Sequence, residues 1–339
     1  PGGRGLIQWL GDGVAKALMY QSSYDNFLHL DCDGGIVLND IDVLEELDQL
    51  NDRAKIIYVD SNRVDSYTET GERSTPYKTL TAAVTAKLAD NQTDTVVFKL
   101  SEGNYDGAIS RIKASANQSF TIEGQGKDVT FIRGASTFAA GKDSDLLYFR
   151  NFNDVTMRHC TVTNCKYGFY PRSCRKAELE DVKFIYCASD GTANRHNLTG
   201  SQPEQAAFWA STSTSNGGAM RVRSVLEVVI QGVEVTLCAR GCRIQDSGSA
   251  DKTSFVSNCK ISKTLEANLY LAHAQYDGSA NYGCVNFVLS NNFCEDAINN
   301  GILLIGSKQC TVLGNTINGS ASAGIMCWHC LDTRIVGNS

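Results

Sequence analysis

No apolar run in this 339-residue sequence approaches the roughly 20 residues that a membrane-spanning helix requires. An excess of positive charge is missing too: the net charge is −6 and the pI is ≈ 5.4. A phosphate backbone demands a basic partner surface, so nucleic acid is not an expected ligand. The apolar stretch Gly5-Leu-Ile-Gln-Trp-Leu10 is too short for a secretory leader and lacks its layout. No second C-x-x-C pair accompanies Cys327-Trp-His-Cys330, which argues against a structural zinc site, and no metal or other cofactor is expected. The sequence opens on Pro1 and stops at Arg334-Ile-Val-Gly-Asn-Ser339, inside a repeat, so it reads as the front part of a longer protein, truncated at the C-terminus.

What is present is a 42% apolar content, enough for one large core or two smaller ones, and 13 cysteines. A disulfide scaffold is small and loop-rich, and this chain is neither. The cysteines read instead as small buried apolar residues, in keeping with folding in a reducing cytoplasm.

Internal periodicity decides the fold. Val288-Leu-Ser-Asn291 recurs as Val312-Leu-Gly-Asn315 after 24 residues and as Ile335-Val-Gly-Asn338 after a further 23. Gly301-Ile302 recurs as Gly324-Ile325, again after 23. Leu179-Glu-Asp-Val-Lys-Phe-Ile-Tyr-Cys187 aligns with Ile230-Gln-Gly-Val-Glu-Val-Thr-Leu-Cys238 at an offset of 51, and Met157-Arg-His-Cys-Thr-Val162 precedes the first of these by 22. Val256-Ser-Asn-Cys-Lys-Ile261 follows the second by 26. A period of 22–26 residues fits one turn of a parallel β-helix, and the leucine-rich-repeat wording is absent. Met157, Cys160 and Val162, with Leu179, Val182 and Phe184 and with Ile230, Val233 and Val235, then line the core, while the residues between them meet solvent. Cys165, Cys187 and Cys238 form a column of thiols, and Asn258, Asn291, Asn315 and Asn338 a column of stacked amides.

Residues 1–54 differ in style. Two short strands joined by a polar turn span 11–30, and Asn39 or Asp40 caps a short helix carrying Ile41, Val43, Leu44, Leu47 and Leu50. The wording Gly11-Asp-Gly, Leu18-Met-Tyr20, Ser22-Ser23 and Phe27-Leu-His-Leu30 resembles the β-rich stalk units of trimeric phage tail fibres. Beyond it come a strand at Ile57-Tyr-Val-Asp60 and a helix opened by Thr75 and Pro76 with Leu80, Ala83, Val84 and Leu88 on one face. The strand Thr95-Val-Val-Phe-Lys-Leu100, then Glu102-Gly-Asn-Tyr105 and Phe120-Thr-Ile-Glu-Gly-Gln-Gly126, follow. This order over 57–134 resembles the first coil and helical cap of pectate-lyase-like β-helices, a family that includes phage tailspikes.

The expected fold is therefore all-β: a right-handed single-stranded parallel β-helix with a helical N-terminal cap over 55–339, preceded by a small fibre-like attachment and oligomerisation module over 1–54. The resemblance implies a homotrimeric virion tailspike or tail fibre, assembled in the host cytoplasm. It would bind a bacterial surface polysaccharide and contact other tail proteins through residues 1–54, without membrane insertion. Two segments, 188–220 and 264–287, break the period, and their Phe208, Trp209, Tyr276 and Tyr282 are the glycan-binding candidates. Should the chain also cleave the glycan as a glycoside hydrolase, two carboxylates roughly 5–9.5 Å apart are needed, and Glu180 and Glu234 fall diagonally on adjacent outward columns. A charge ladder Lys183–Glu234–Lys260 accounts for the same residues without catalysis. The alternative is an extracellular pectin-type lyase or hydrolase: Arg111-Ile-Lys113 matches one polygalacturonase tripeptide, but its companion motifs and a calcium-binding aspartate cluster are missing.

Overall fold

Alternation sets the strands. In Thr95–Leu100 the side chains of Val96, Phe98 and Leu100 are buried while those between them are half-buried, as a strand with one face on a core requires. The computed structural model describes residues 54–88, 95–106, 109–113, 118–134, 146–187, 217–273 and 283–339, together with five short strands within residues 1–53. Two compact units are present, Pro1–Lys55 and Ile56–Ser339.

In the first unit Ile7–Gln8, Leu18–Gln21 and Leu28–Asp31 form an antiparallel sheet, the last two in the hairpin pairing expected for this stretch. Ile41–Asp42 pairs antiparallel with Val37–Leu38, so these two residues are strand and not the first turn of a helix. Residues 43–53 lie outside the described residues.

The second unit is a parallel β-helix. A first row of strands stacks Thr95–Leu100, Phe120–Glu123, the leading halves of Asp154–Cys165 and Lys176–Cys187, Glu227–Gln231, Ser254–Ser257, Phe287–Ser290, Thr311–Leu313 and Arg334–Val336. The second row continues each coil through Gly103–Asp106, Thr130–Arg133, the trailing halves of the two long strands, Glu234–Cys238, Lys260–Thr264, Phe293–Glu295 and Thr316–Asn318. A third row, forming its own sheet, runs from Ile109–Lys113 through Leu147–Arg150, Tyr167–Arg172, Gly218–Arg223, Cys242–Gln245, Leu269–Ala272 and Asn300–Ile305 to Ala323–Trp328. Parallel strands need such long crossovers, and here each crossover is the rest of the coil.

The core fills the inside of the stack. Met157, Leu179 and Ile230, and Val162, Phe184 and Val235, are buried as their repeat positions require. Cys165, Cys187 and Cys238 are buried, with 3.5 Å between the first two sulfurs and the Cys187 amide donating to the Cys238 sulfur at 3.4 Å. Burial pushes the Cys160 thiol up to about 12 and Cys238 well above its ordinary value, so these groups are packing elements and not nucleophiles.

Two further sequence expectations need correction. The helix is Leu80–Leu88, and its cap is Thr79, whose Oγ1 accepts from the Ala82 amide at 3.1 Å. Thr75 and Pro76 precede it because Tyr77 is held beside the first coil: its amide donates to the Tyr58 carbonyl at 3.0 Å, and its carbonyl accepts from the Asp60 amide at 2.8 Å. Leu80, Ala83 and Val84 do share the core with Ile57, Val59 and Phe98.

The amide column is shifted by one. The register pairs Leu289 with Val312 and Val312 with Ile335, so the repeat is 23 residues and Asn292, not Asn291, stacks on Asn315. Asn292 Nδ2 donates to Asn315 Oδ1 at 2.9 Å, and Asn315 Nδ2 to Asn338 Oδ1 at 2.9 Å. Asn258 and Asn291 occupy the preceding position, where φ is 54° and 55°. Gly232 and Gly314 stand in that same column with φ 62°, since a left-handed bend accepts glycine or asparagine.

Candidate functional site

The bend between the first and second rows holds the carboxylates singled out from the sequence. Arg158, Glu180 and Gln231 stack in one outward column, and Thr161, Lys183, Glu234 and Lys260 in the other. Glu180 is exposed. Glu234 is engaged: Lys127 Nζ lies 2.8 Å from its Oε1 and 3.0 Å from Asp181 Oδ1, and His159 Nδ1 lies 3.4 Å from Asp181 Oδ2. His159 and Asp181 both sit at left-handed bend positions, φ 55° and 48°, which turn their side chains toward one another across adjacent coils.

Burial pushes the Asp181 carboxyl up, but the hydrogen bonds from Lys127 and His159 outweigh it and hold the group below its ordinary value of 3.8. A depressed folded pKa contributes stability that is complete above the unfolded value and is lost as pH falls through the folded one. The side chain is 42% exposed, so solvent screening limits the contribution to under about 1 kcal/mol. Asp181→Asn is expected to lower the denaturation midpoint slightly at pH 7 and to leave it unchanged once the pH is well below 3.8. Denaturant titrations at both ends check this; an equal effect at both would show that the ion pairs contribute nothing.

Phe208, Trp209, Tyr276 and Tyr282 lie outside the described residues. The positions where their segments leave the coils are described. One departs after Cys187, at the end of a second-row strand, and returns at Gly217, just before a third-row strand. The other departs after His273, just past a third-row strand, and returns at Gly283. Both therefore branch from the borders of the third row.

The outward face of that row carries a constellation that sequence reasoning missed. Tyr148 stacks on Tyr170 with ring centroids 4.8 Å apart, and these two are register partners. The Arg221 guanidinium lies 5.1 Å from the Tyr170 centroid, and that of Arg243 lies 5.3 Å from Tyr270. Arg221 pairs with Arg243, and Arg243 with Tyr270, on successive coils. In the next column Arg150, Arg172 and Arg223 are consecutive register partners. Burial, then the neighbouring charges of Arg240 and Arg221, push the Arg243 guanidinium below its ordinary value, while burial raises the Tyr170 phenol. The offsets were readable: Arg150 to Arg172 is 22 residues and Arg172 to Arg223 is 51, the spacings already seen in the first row.

A cleft of about 490 Å³ lies over the first coils between Tyr58, Asp60, Arg73, Lys99, Glu123 and Gln125. Its charges are mixed, and Glu123 is taken by Arg158 at 2.8 Å. Among the described residues no group of three His, Cys, Asp or Glu is placed to hold a metal ion.

No curated protein matches this sequence. Among solved structures, the Dettilon tailspike protein (gp208) is 12% identical with a TM-score of 0.36, over 88% of this chain and 63% of that one; the chain thus spans less than two thirds of the tailspike's length. Escherichia coli ybhc is 12% identical with a TM-score of 0.40, covering 93% of this chain and 90% of that one. The Azotobacter vinelandii mannuronan C-5 epimerase AlgE4 A-module is 15% identical with a TM-score of 0.26, covering 83% and 87%. Likenesses this weak say nothing of substrate or partner. The right-handed β-helix region family, in contrast, matches residues 145–339, more than half of the chain and all but the first coils of the stack, and the chain belongs to that family.

Proposed function

We propose that this chain is the receptor-binding β-helix of a phage tailspike or tail fibre, holding a bacterial surface polysaccharide against its third row. The observation that carries the reading is the tyrosine–arginine face built by Tyr148, Tyr170, Arg221, Arg243 and Tyr270 on consecutive coils. Sugar rings present C–H faces that pack on aromatic rings, and their hydroxyls seek donors such as guanidinium groups. A row of strands fixes those groups at regular spacing of about 4.8 Å per coil, a repeat suited to a polymer. Phe208, Trp209, Tyr276 and Tyr282 belong to the two segments that interrupt the coils at the borders of this row, and on this reading they are further glycan-binding candidates.

Residues 1–54 serve as the attachment module to neighbouring tail proteins and as a trimer contact, a role supported by their stalk-like wording. A depolymerase would instead lay the glycan along the first-to-second-row bend, where Glu180 and Glu234 stand. The decisive experiment incubates the purified protein with capsule and lipopolysaccharide from candidate hosts. Retention on the glycan, new reducing ends and absorbance near 235 nm are followed together. Retention without products marks an adhesin; reducing ends alone mark a hydrolase, whose activity Glu180→Gln and Glu234→Gln should each abolish. Absence of both retention and products would overturn the reading.

A further inference from the structure

The third row differs from the other two in how it handles charge. Elsewhere, opposite signs meet across the register: Glu123 with Arg158 at 2.8 Å and Asp106 with Arg133 at 2.6 Å are both register partners and ion pairs. Lys183, Glu234 and Lys260 alternate in the same way. On the third row Arg150, Arg172 and Arg223 follow one another, with Arg221 and Arg243 stacked beside them. Like charges directly opposite on a sheet are destabilising.

Compensation is sparse. Arg223 has Asp246 at 3.8 Å, and Arg221 donates from Nε to Gln245 Oε1 at 3.0 Å. Among the described residues no carboxylate lies within ion-pair distance of Arg150, Arg172, Arg221 or Arg243, and the buried Nε of Arg243 has no hydrogen-bond partner. Five guanidinium groups gathered on one face of a chain with net charge −6 are a local feature of the third row, not a general property of the surface.

We infer that the third row takes an acidic polysaccharide laid along the coil axis, its anionic groups meeting Arg150, Arg172 and Arg223 on successive coils and Arg221 and Arg243 beside them. This rests on the glycan-binding reading above and adds the charge of the ligand and its direction. Guanidinium forks match carboxylate and phosphate oxygens in two-point contacts. The half-buried Tyr148 and Tyr270 keep the recognition suited to a sugar, because their rings can meet C–H surfaces between the anionic groups, while the buried Tyr170 supports them from behind. A nucleic acid would satisfy the arginines but meets an acidic protein elsewhere.

The test measures binding of the full chain to four polymers: polygalacturonate, polyphosphate, neutral dextran and poly(dT). Binding to polygalacturonate or polyphosphate is expected to weaken about tenfold or more between about 50 and about 500 mM salt. Which of the two binds tighter separates a preference for carboxylate from one for phosphate, and the inference stands provided polygalacturonate binds; polyphosphate bound while both polysaccharides fail would mark a bare anion track and overturn it. The double variant Arg221→Gln/Arg243→Gln should lose about tenfold in affinity. Arg150→Gln, at an exposed position, should lose less. Arg172→Gln removes a repulsive neighbour, so its thermal midpoint should stay level or rise while its affinity falls; a lower midpoint with unchanged affinity would mark the ladder as structural and overturn the proposal. Dextran bound as tightly and without salt dependence would leave the glycan reading standing and sink the charge inference. Failure of every polysaccharide would sink both. Poly(dT) as the tightest ligand would reassign the track to nucleic acid.

Discussion

Asn315→Ala is expected to destabilise the coil stack by about 3–5 kcal/mol, because it leaves several buried polar groups without partners at about 1–3 kcal/mol each. Asn315 is fully buried. Its Oδ1 accepts from the Asn292 amide and from Asn292 Nδ2, both at 2.9 Å. Its Nδ2 donates to the Leu289 carbonyl at 2.9 Å and to Asn338 Oδ1 at 2.9 Å. Alanine strips all of these at once. Aspartate should not rescue, since it keeps the acceptor but turns a carboxylate toward two acceptor oxygens. Equilibrium denaturation, or unfolding rates where refolding fails, gives the number. A loss below about 1 kcal/mol would show that the ladder is decorative. The shifted register supplies a control: Asn291→Gly, one residue from the ladder partner Asn292, should cost only a few tenths of a kcal/mol, because glycine is at ease at its φ of 55°.

That one-residue difference shows what could be read from the residues alone. The first- and second-row columns were legible, since the alternation of Val182-x-Phe184 and Val233-x-Val235 leaves one register that puts these side chains in the core. The amide column was not, because Asn291 and Asn292 are adjacent and both a left-handed bend and an inward ladder accept asparagine. The tell-tale was Gly314: glycine marks the bend, so the residue after it is the inward one. The helix start was misread because Thr75-Pro76 is a legitimate cap pair in isolation; only the pairing of Tyr77 with the Val59 strand forbids it. The third-row arginines carry the correct offsets of 22 and 51, but an arginine, unlike an apolar residue, has no burial requirement that fixes its column. Glu180 and Glu234 did fall in the expected columns, yet Lys127, which engages Glu234, comes from 107 residues away in a loop with no periodic signal.

Phe120→Ala is expected to remove about 3–5 kcal/mol, the usual loss for a large aromatic truncated in a core, and to do so locally. Phe120 is 1% exposed and stands where three rings converge: Phe98 at 4.9 Å, Phe149 at 5.0 Å and Phe152 at 5.7 Å between centroids. Phe98 comes from the preceding first-row strand and Phe149 from the third row, so the ring ties two sheets together inside the first coils. No neighbouring backbone can collapse into the gap, because its strand is pinned by parallel pairing to Thr95–Leu100 on one side and Asp154–Cys165 on the other. In a coil stack each turn touches only its neighbours, so stability behaves as a sum of local terms along the axis. Hydrogen exchange should therefore report the two substitutions at opposite ends. Phe120→Ala should strip protection from residues 95–133 while 287–313 stay protected, and Asn315→Ala should do the reverse. A uniform loss along the whole stack in either variant would mean that the coils unfold as one cooperative body, and that the ring cluster and the amide ladder each hold up turns they do not touch.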